Sequence, residues 1–217
     1  MPKNVFQLAS NDSRKVTVSW RGLFKDITVD LEGEQIMQLA NKKELQAGRS
    51  ALLGDGSTLF VGWQTGAMQQ GIRIERDGTP LPGSSADPAT IVKLAAGILG
   101  FICVLNLALG LIAELGDVTF LRHLGIGWAS AVVGVLFAGL AYGTHKRSFV
   151  ALLIGTLLFA ADGVYTLWLG VDSGGRVPTG GIVMRVLLII PLVRAMGPIR
   201  LLAKTEADNA SARIISG

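Results

Sequence analysis

The sequence predicts a membrane protein in two parts: a small antiparallel all-β N-terminal domain, sandwich- or barrel-like, followed by an α-helical four-span transmembrane bundle. Three observations predict it. Residues 1–88 alternate apolar and polar positions between glycine-containing turns and carry ten basic and ten acidic side chains. The remainder holds every long apolar run and all of the net charge of +4. Half of the 217 residues are hydrophobic and only 17% are charged, too apolar a balance for an ordinary soluble domain.

Residues 1–13 read as a flexible polar arm, and their sequence has no apolar core long enough for a secretory signal, so the head is expected to stay in the compartment where it is made. The β-domain is placed at 14–80. Lys15 to Arg21 sets Val16, Val18 and Trp20 at period two, and Asp26 to Glu32 repeats this with Ile27, Val29 and Leu31. Glu32-Gly33 predicts a hairpin turn into Glu34 to Leu39, because glycine supplies the positive φ such a turn needs. Asn41, Glu44 and Gly48 predict one short helix with a capping box and a glycine stop. Two more hairpins follow: Ser50 to Leu53 joins Ser57 to Trp63 through Gly54-Asp55-Gly56, and Gly71 to Glu75 runs into Asp77-Gly78. The expectation is about six strands with an inward set of Val16, Val18, Trp20, Ile27, Val29, Leu31, Ile36, Leu52, Leu59, Val61, Ile72 and Ile74.

Residues 81–89, rich in Pro, Gly and Ser, read as a linker. Four apolar segments come next, at about 90–113, 124–143, 148–171 and 181–203, with a polar tail over 204–217. Ser148 to Val171 is long enough to cross a hydrocarbon layer about 30 Å thick at about 1.5 Å per residue. The fourth segment contains Pro191 and Pro198, which predict a kinked span or a shorter span followed by an interfacial helix.

Orientation follows from the basic residues. Lys93 precedes the first span, His145-Lys146-Arg147 joins the second and third, and Arg200 and Lys204 follow the fourth, whereas the opposite loops, with Glu114, Asp117, Arg122, Asp172 and Arg176, show no basic excess. Both termini are therefore expected to be cytoplasmic. Tyr142 and Trp168 lie where aromatic belts form.

Asp162 sits near the middle of the third span, and an ionised carboxylate there needs a partner on a neighbouring helix. Counting along the helices brings Asn106 to the same depth and lets Arg185 reach down from the fourth span, with Tyr165 and Thr166 one turn from Asp162. The expected cluster of Asp162, Arg185, Asn106 and Tyr165 reads first as a register-fixing ion pair, and alternatively as a relay or polar substrate site. Gly139 with Gly143, Gly134 with Ala138, Ala96 with Gly100, and Ala151 with Gly155 are small-xxx-small pairs that suit helix packing within the bundle or a homo-oligomer.

Catalytic chemistry has no evident residues. Cys103, the one cysteine, lies in an apolar run, and His123 and His145 stand at span ends without companions at ligand spacing, so neither a metal nor a cofactor is expected. Asp30, Glu32 and Glu34 fall on the solvent side of a hairpin. Gly54-x-Gly56 is a turn, since no helix at nucleotide-fingerprint spacing follows it. The basic surplus flanks apolar segments and not a soluble patch, which argues against nucleic acid.

The runs Arg76-Asp77-Gly78-Thr79-Pro80-Leu81-Pro82-Gly83-Ser84, Gly125-Ile126-Gly127-Trp128-Ala129-Ser130 and Leu158-Phe159-Ala160-Ala161-Asp162-Gly163 give the chain a pattern that resembles uncharacterised bacterial membrane proteins with a small β-domain ahead of four spans. The resemblance implies an architecture and a bacterial inner membrane, and no activity. The expected function is a non-enzymatic membrane protein whose cytoplasmic β-domain binds a protein partner or senses a signal. The alternative is a small transporter or channel component using the intramembrane polar cluster.

Overall fold

The computed structural model describes residues 1–9, 12–65, 70–119, 126–172 and 179–216, with the backbone alone over 169–172, 179–180 and 205–216. The chain divides into two compact units, Met1–Ile91 and Val92–Gly217.

Among the described residues the first unit contains eight strands. β1 (Lys3–Ala9), β2 (Asp12–Arg21), β3 (Lys25–Leu31) and β4 (Glu34–Asn41) form one antiparallel meander in sequence order. β5 (Arg49–Leu52), β6 (Thr58–Gln64), β7 (Gly71–Arg76) and β8 (Thr79–Pro80) form a second. Neither sheet closes on itself, and the two share one hydrophobic core, so the architecture is the sandwich and not the barrel. Val16, Val18, Ile27 and Val29 from the first sheet and Leu59, Val61, Ile72 and Ile74 from the second are each at most 4% exposed. Period-two alternation puts these residues on one face of each sheet, and that shared burial is the main stabilising term of the domain.

The turns follow their chemistry. Glu32 and Gly33, at φ 53° and 92°, connect Leu31 to its partner Glu34, and Asp77 and Gly78, at 48° and 76°, connect Arg76 to Thr79. Both are two-residue turns with two left-handed positions, whose twist matches that of the flanking strands. α1 (Lys42–Ala47) starts at Asn41, whose side chain accepts from the Lys43 and Glu44 amides, and stops at Gly48. Glu44 accepts in return from the amide of Ala40, one residue earlier than a capping box places it.

Four features of the head differ from expectation. The supposed arm contains β1, whose Phe6 and Leu8 enter the core while it pairs along β2. Met37 and Leu39, opposite Val29 and Ile27, are the fully inward pair of β4, and Ile36 only packs at the margin, because a bulge at Val29/Asp30 shifts the register. Leu52 is 76% exposed and Leu53, just past the strand, is buried in its place. The supposed linker belongs to the head: Leu81 is 1% exposed in the core, its amide donates to the Ile74 carbonyl, and the Ser85 amide donates to that of Ile72.

The second unit is built on α2 (Pro88–Leu115), α3 (Trp128–His145), α4 (Phe149–Asp172) and α5 (Thr179–Ser216). All four contain windows long and apolar enough to cross a membrane. Each buries a stripe at helical spacing, such as Leu152, Thr156 and Phe159 on α4 and Leu188, Leu192, Ala195 and Ile199 on α5. Phe137 of α3 meets Phe159 of α4 edge to face at 6.4 Å. α5 runs as one helix past Pro191 and Pro198, and the polar residues from Lys204 to Ser216 continue it. Its later part, Ala203 to Ala212, contains four alanines with Lys204 and Glu206, residues that favour helix.

The glycines separate into two kinds. A β-carbon on Gly134 of α3 would lie 2.7 Å from Leu107 Cγ and 2.9 Å from the Leu107 amide nitrogen of α2. One on Gly110 of α2 would lie 2.8 Å from the Ala131 nitrogen of α3, so these two backbones touch at a pair of glycines, the second of which has no small-xxx-small signature. Gly143 faces the Ala151 methyl and Gly155 faces Leu99. Gly100 and Gly139 have no atom within 4 Å of a built β-carbon, so packing within the described chain does not use them.

Candidate functional site

Three groups of side chains stand out from the packed cores. The first lies at one end of the head, around the β2–β3 turn. Gly22 and Phe24 adopt φ 48° and 60°, and Asp26 follows at 47°. This conformation folds Phe24 back so that it stacks on Trp20 at 4.9 Å and meets Trp63 of β6 edge-on at 4.8 Å, with the Lys42 ammonium 4.7 Å from the Trp63 ring centre. Left-handed backbone at a phenylalanine costs about 1–2 kcal/mol, which the aromatic contacts must offset. The consequence is a supported turn with Leu23 at its tip, 89% exposed. Its sequence signal is the pair Leu23-Phe24 set in a turn between Arg21 and Lys25, a place normally polar.

The second group ties the two sheets together. Arg14 of β2 bonds Asp12 at 2.8 Å and Asp55, in the β5–β6 loop, at 3.2 Å; Arg76 of β7 bonds Asp55 at 2.8 Å and Ser57 Oγ at 3.0 Å. The Ser57 hydroxyl and amide both donate to Asp55, and with Arg14 and Arg76 they lower its pKa from 3.8 to about 2. Asp12 is lowered as well, chiefly by the Arg14 side chain. Depressed carboxylate pKa values contribute stability that is present above the unfolded pKa and lost as pH falls through the folded one, here between about pH 4 and pH 2. Melting of the head is therefore expected to be level above about pH 5 and to fall on acidification below about pH 4. Asp55→Asn should flatten that slope; an unchanged slope would assign the acid sensitivity to other groups. This network links strands of the two sheets.

The third group is intramembrane. Arg185 of α5 donates from Nη2 to Asp162 of α4 at 2.7 Å, and Gly163 leaves room for its stem, since a β-carbon there would sit 3.3 Å from Arg185 Cδ. Asn106 stands apart in its bonding, its amide donating to the Ile102 carbonyl of its own helix at 2.9 Å. Thr166 donates to the Asp162 main-chain carbonyl, and Tyr165, 56% exposed, has its ring 6.4 Å from that of Trp168. The four-member cluster expected from sequence is thus a two-member ion pair, because an asparagine inside a helix can satisfy its donor on the carbonyl four residues back.

At the other end of the bundle, the Arg200 guanidinium lies 4.1 Å from the Phe149 ring centre and Lys146 reaches Tyr142, which gathers the basic side chains of the α3–α4 turn and of α5 at one level. Arg122, His123 and Arg176 lie outside the described residues. Cys103 is buried as a reduced thiol, and no set of three His, Cys, Asp or Glu side chains gathers among the described residues.

Fold and geometry define the class: a multi-pass membrane protein with an antiparallel β-domain at its N-terminus. Comparison with protein-family models, with curated proteins and with solved structures gives no match to the chain.

Proposed function

We propose that the protein is a non-enzymatic membrane-anchored binding protein, whose β-domain takes a protein partner on the cytoplasmic side while the helices hold it at a bacterial inner membrane. The observation that carries this reading is the β2–β3 turn, where Phe24, in left-handed backbone, stacks on Trp20 and meets Trp63 edge-on while its neighbour Leu23 stands out to solvent at 89% exposure. Rigid presentation of an apolar anchor lowers the ordering cost of association, and the basic residues Arg21 and Lys25 that flank the turn, with Lys42 against Phe24 and Trp63, favour an acidic partner surface. The cytoplasmic assignment is supported by the basic side chains gathered at one end of the helices. A transport pathway has less support, since Thr156 and Asn106, two of its polar side chains along the described spans, are bonded to carbonyls of their own helices.

A photo-cross-linking residue at position 23 of the full-length protein, introduced in intact cells, tests the binding surface against one at exposed Gln35. A discrete adduct from position 23 and none from position 35 is expected. Equal labelling from both would remove the turn as a docking site.

A further inference from the structure

The Asp162–Arg185 pair is bonded and yet uncovered. Asp162 lies 13 residues beyond Phe149, about 20 Å along a helix of about 36 Å, which puts it within a hydrocarbon layer about 30 Å thick. Its side chain is 58% exposed and that of Arg185 is 25% exposed. Lipid tails offer no hydrogen bonds, and ionised groups in the bilayer core are costly even when paired, so this surface requires a polar cover. The capacity for one is present. A guanidinium has five N–H donors, of which one on Nη2 is directed to Asp162, and a carboxylate accepts about four bonds.

We propose that a second copy of this chain covers the pair, in a two-fold dimer where Asp162 of each copy also accepts from Arg185 of the other. The occupant is chosen by charge. A two-fold axis brings the same patch onto itself, and a patch holding one carboxylate and one guanidinium is self-complementary under that operation. A different partner would need an acid and a base of its own at the same depth; a second copy has both by construction. The surroundings suit close approach: Ala161 is exposed beside Asp162, Gly181 is exposed with no atom within 4 Å of a built β-carbon, and Val164 and Val183 are 66% and 58% exposed. Two copies sharing four charges replace an ion pair facing lipid with a closed network, the arrangement in which intramembrane polar groups act as glue between helices.

Single-molecule photobleaching of the full-length protein, labelled at the C-terminus and diluted into phospholipid vesicles, tests this. The wild type is expected to bleach in two steps, and Asp162→Asn to lower the dimer fraction by about tenfold or more, as loss of a charge-assisted pair predicts. Ala161→Trp places bulk beside the pair without altering its charges, which keeps the test intact should Asp162→Asn fail to fold, and it too should give single steps. Val132→Trp, on the exposed side of α3, should leave two. Single-step bleaching of the wild type would overturn the proposal, as would dimers that persist in both Asp162→Asn and Ala161→Trp. Monomers that conduct protons or ions, with the flux lost in Asp162→Asn, would overturn it in favour of a water-filled path.

Discussion

Gly134→Leu is expected to prevent α2 and α3 from packing, with loss of more than about 3 kcal/mol and aggregation in detergent as its visible sign. Overpacking a core commonly costs about 1–3 kcal/mol when neighbouring side chains can move aside. Here the nearest atoms to a new β-carbon include main chain, the Leu107 amide at 2.9 Å and the Cys103 carbonyl at 3.1 Å, and two helices have to separate to admit it. Gly139→Leu, five residues along the same helix, has no atom within 4 Å of its β-carbon and should change the melt by about 0.5 kcal/mol or less. Detergent melts monitored by circular dichroism separate the two. Equal behaviour of the variants would mean that the α2–α3 contact is not made at Gly134.

Phe6→Ala should destabilise the head by about 3–5 kcal/mol, the ordinary cost of emptying a buried aromatic site. Phe6 is 6% exposed within the shared core, although it lies in a stretch whose composition resembles an arm. Leu52→Ala, at a residue 76% exposed, should cost about 0.5 kcal/mol or less. Denaturant unfolding of the two variants reads the difference directly. A silent Phe6→Ala would restore β1 to the status of a loose arm.

The parts of the fold legible in sequence are those set by local chemistry. Alternation at Val16/Val18 and Ile27/Val29, positive-φ turns at Glu32-Gly33 and Asp77-Gly78, and the Asn41 cap each need only a few neighbouring residues to be read. What escaped depends on partners far away in the chain or on one-residue shifts. β1 offers only Phe6 and Leu8 as inward residues, and its Val5 is 53% exposed, so its strand character comes from pairing with β2. The bulge that turns Met37 inward cannot be seen in a period-two pattern. The Pro, Gly and Ser residues over 82–85 concealed a buried Leu81, since proline and glycine mark turns and not detachment.

The candidate sites divide in the same way. A carboxylate and a guanidinium inside neighbouring apolar runs have few partners but each other, so Asp162 and Arg185 were readable as a pair. Asn106 carried no such constraint. The Trp20–Phe24–Trp63 group joins a turn of one sheet to a strand of the other, and only the packing of the sheets brings it together.

Thermal unfolding of residues 1–91 in detergent-free buffer measures the independence of the two halves most directly. Every strand pairing of the two sheets and the whole shared core lie within that stretch, so the fragment should give a strand spectrum and one cooperative melt. A disordered spectrum, or a structured state that forms only when the helical half is present, would contradict it.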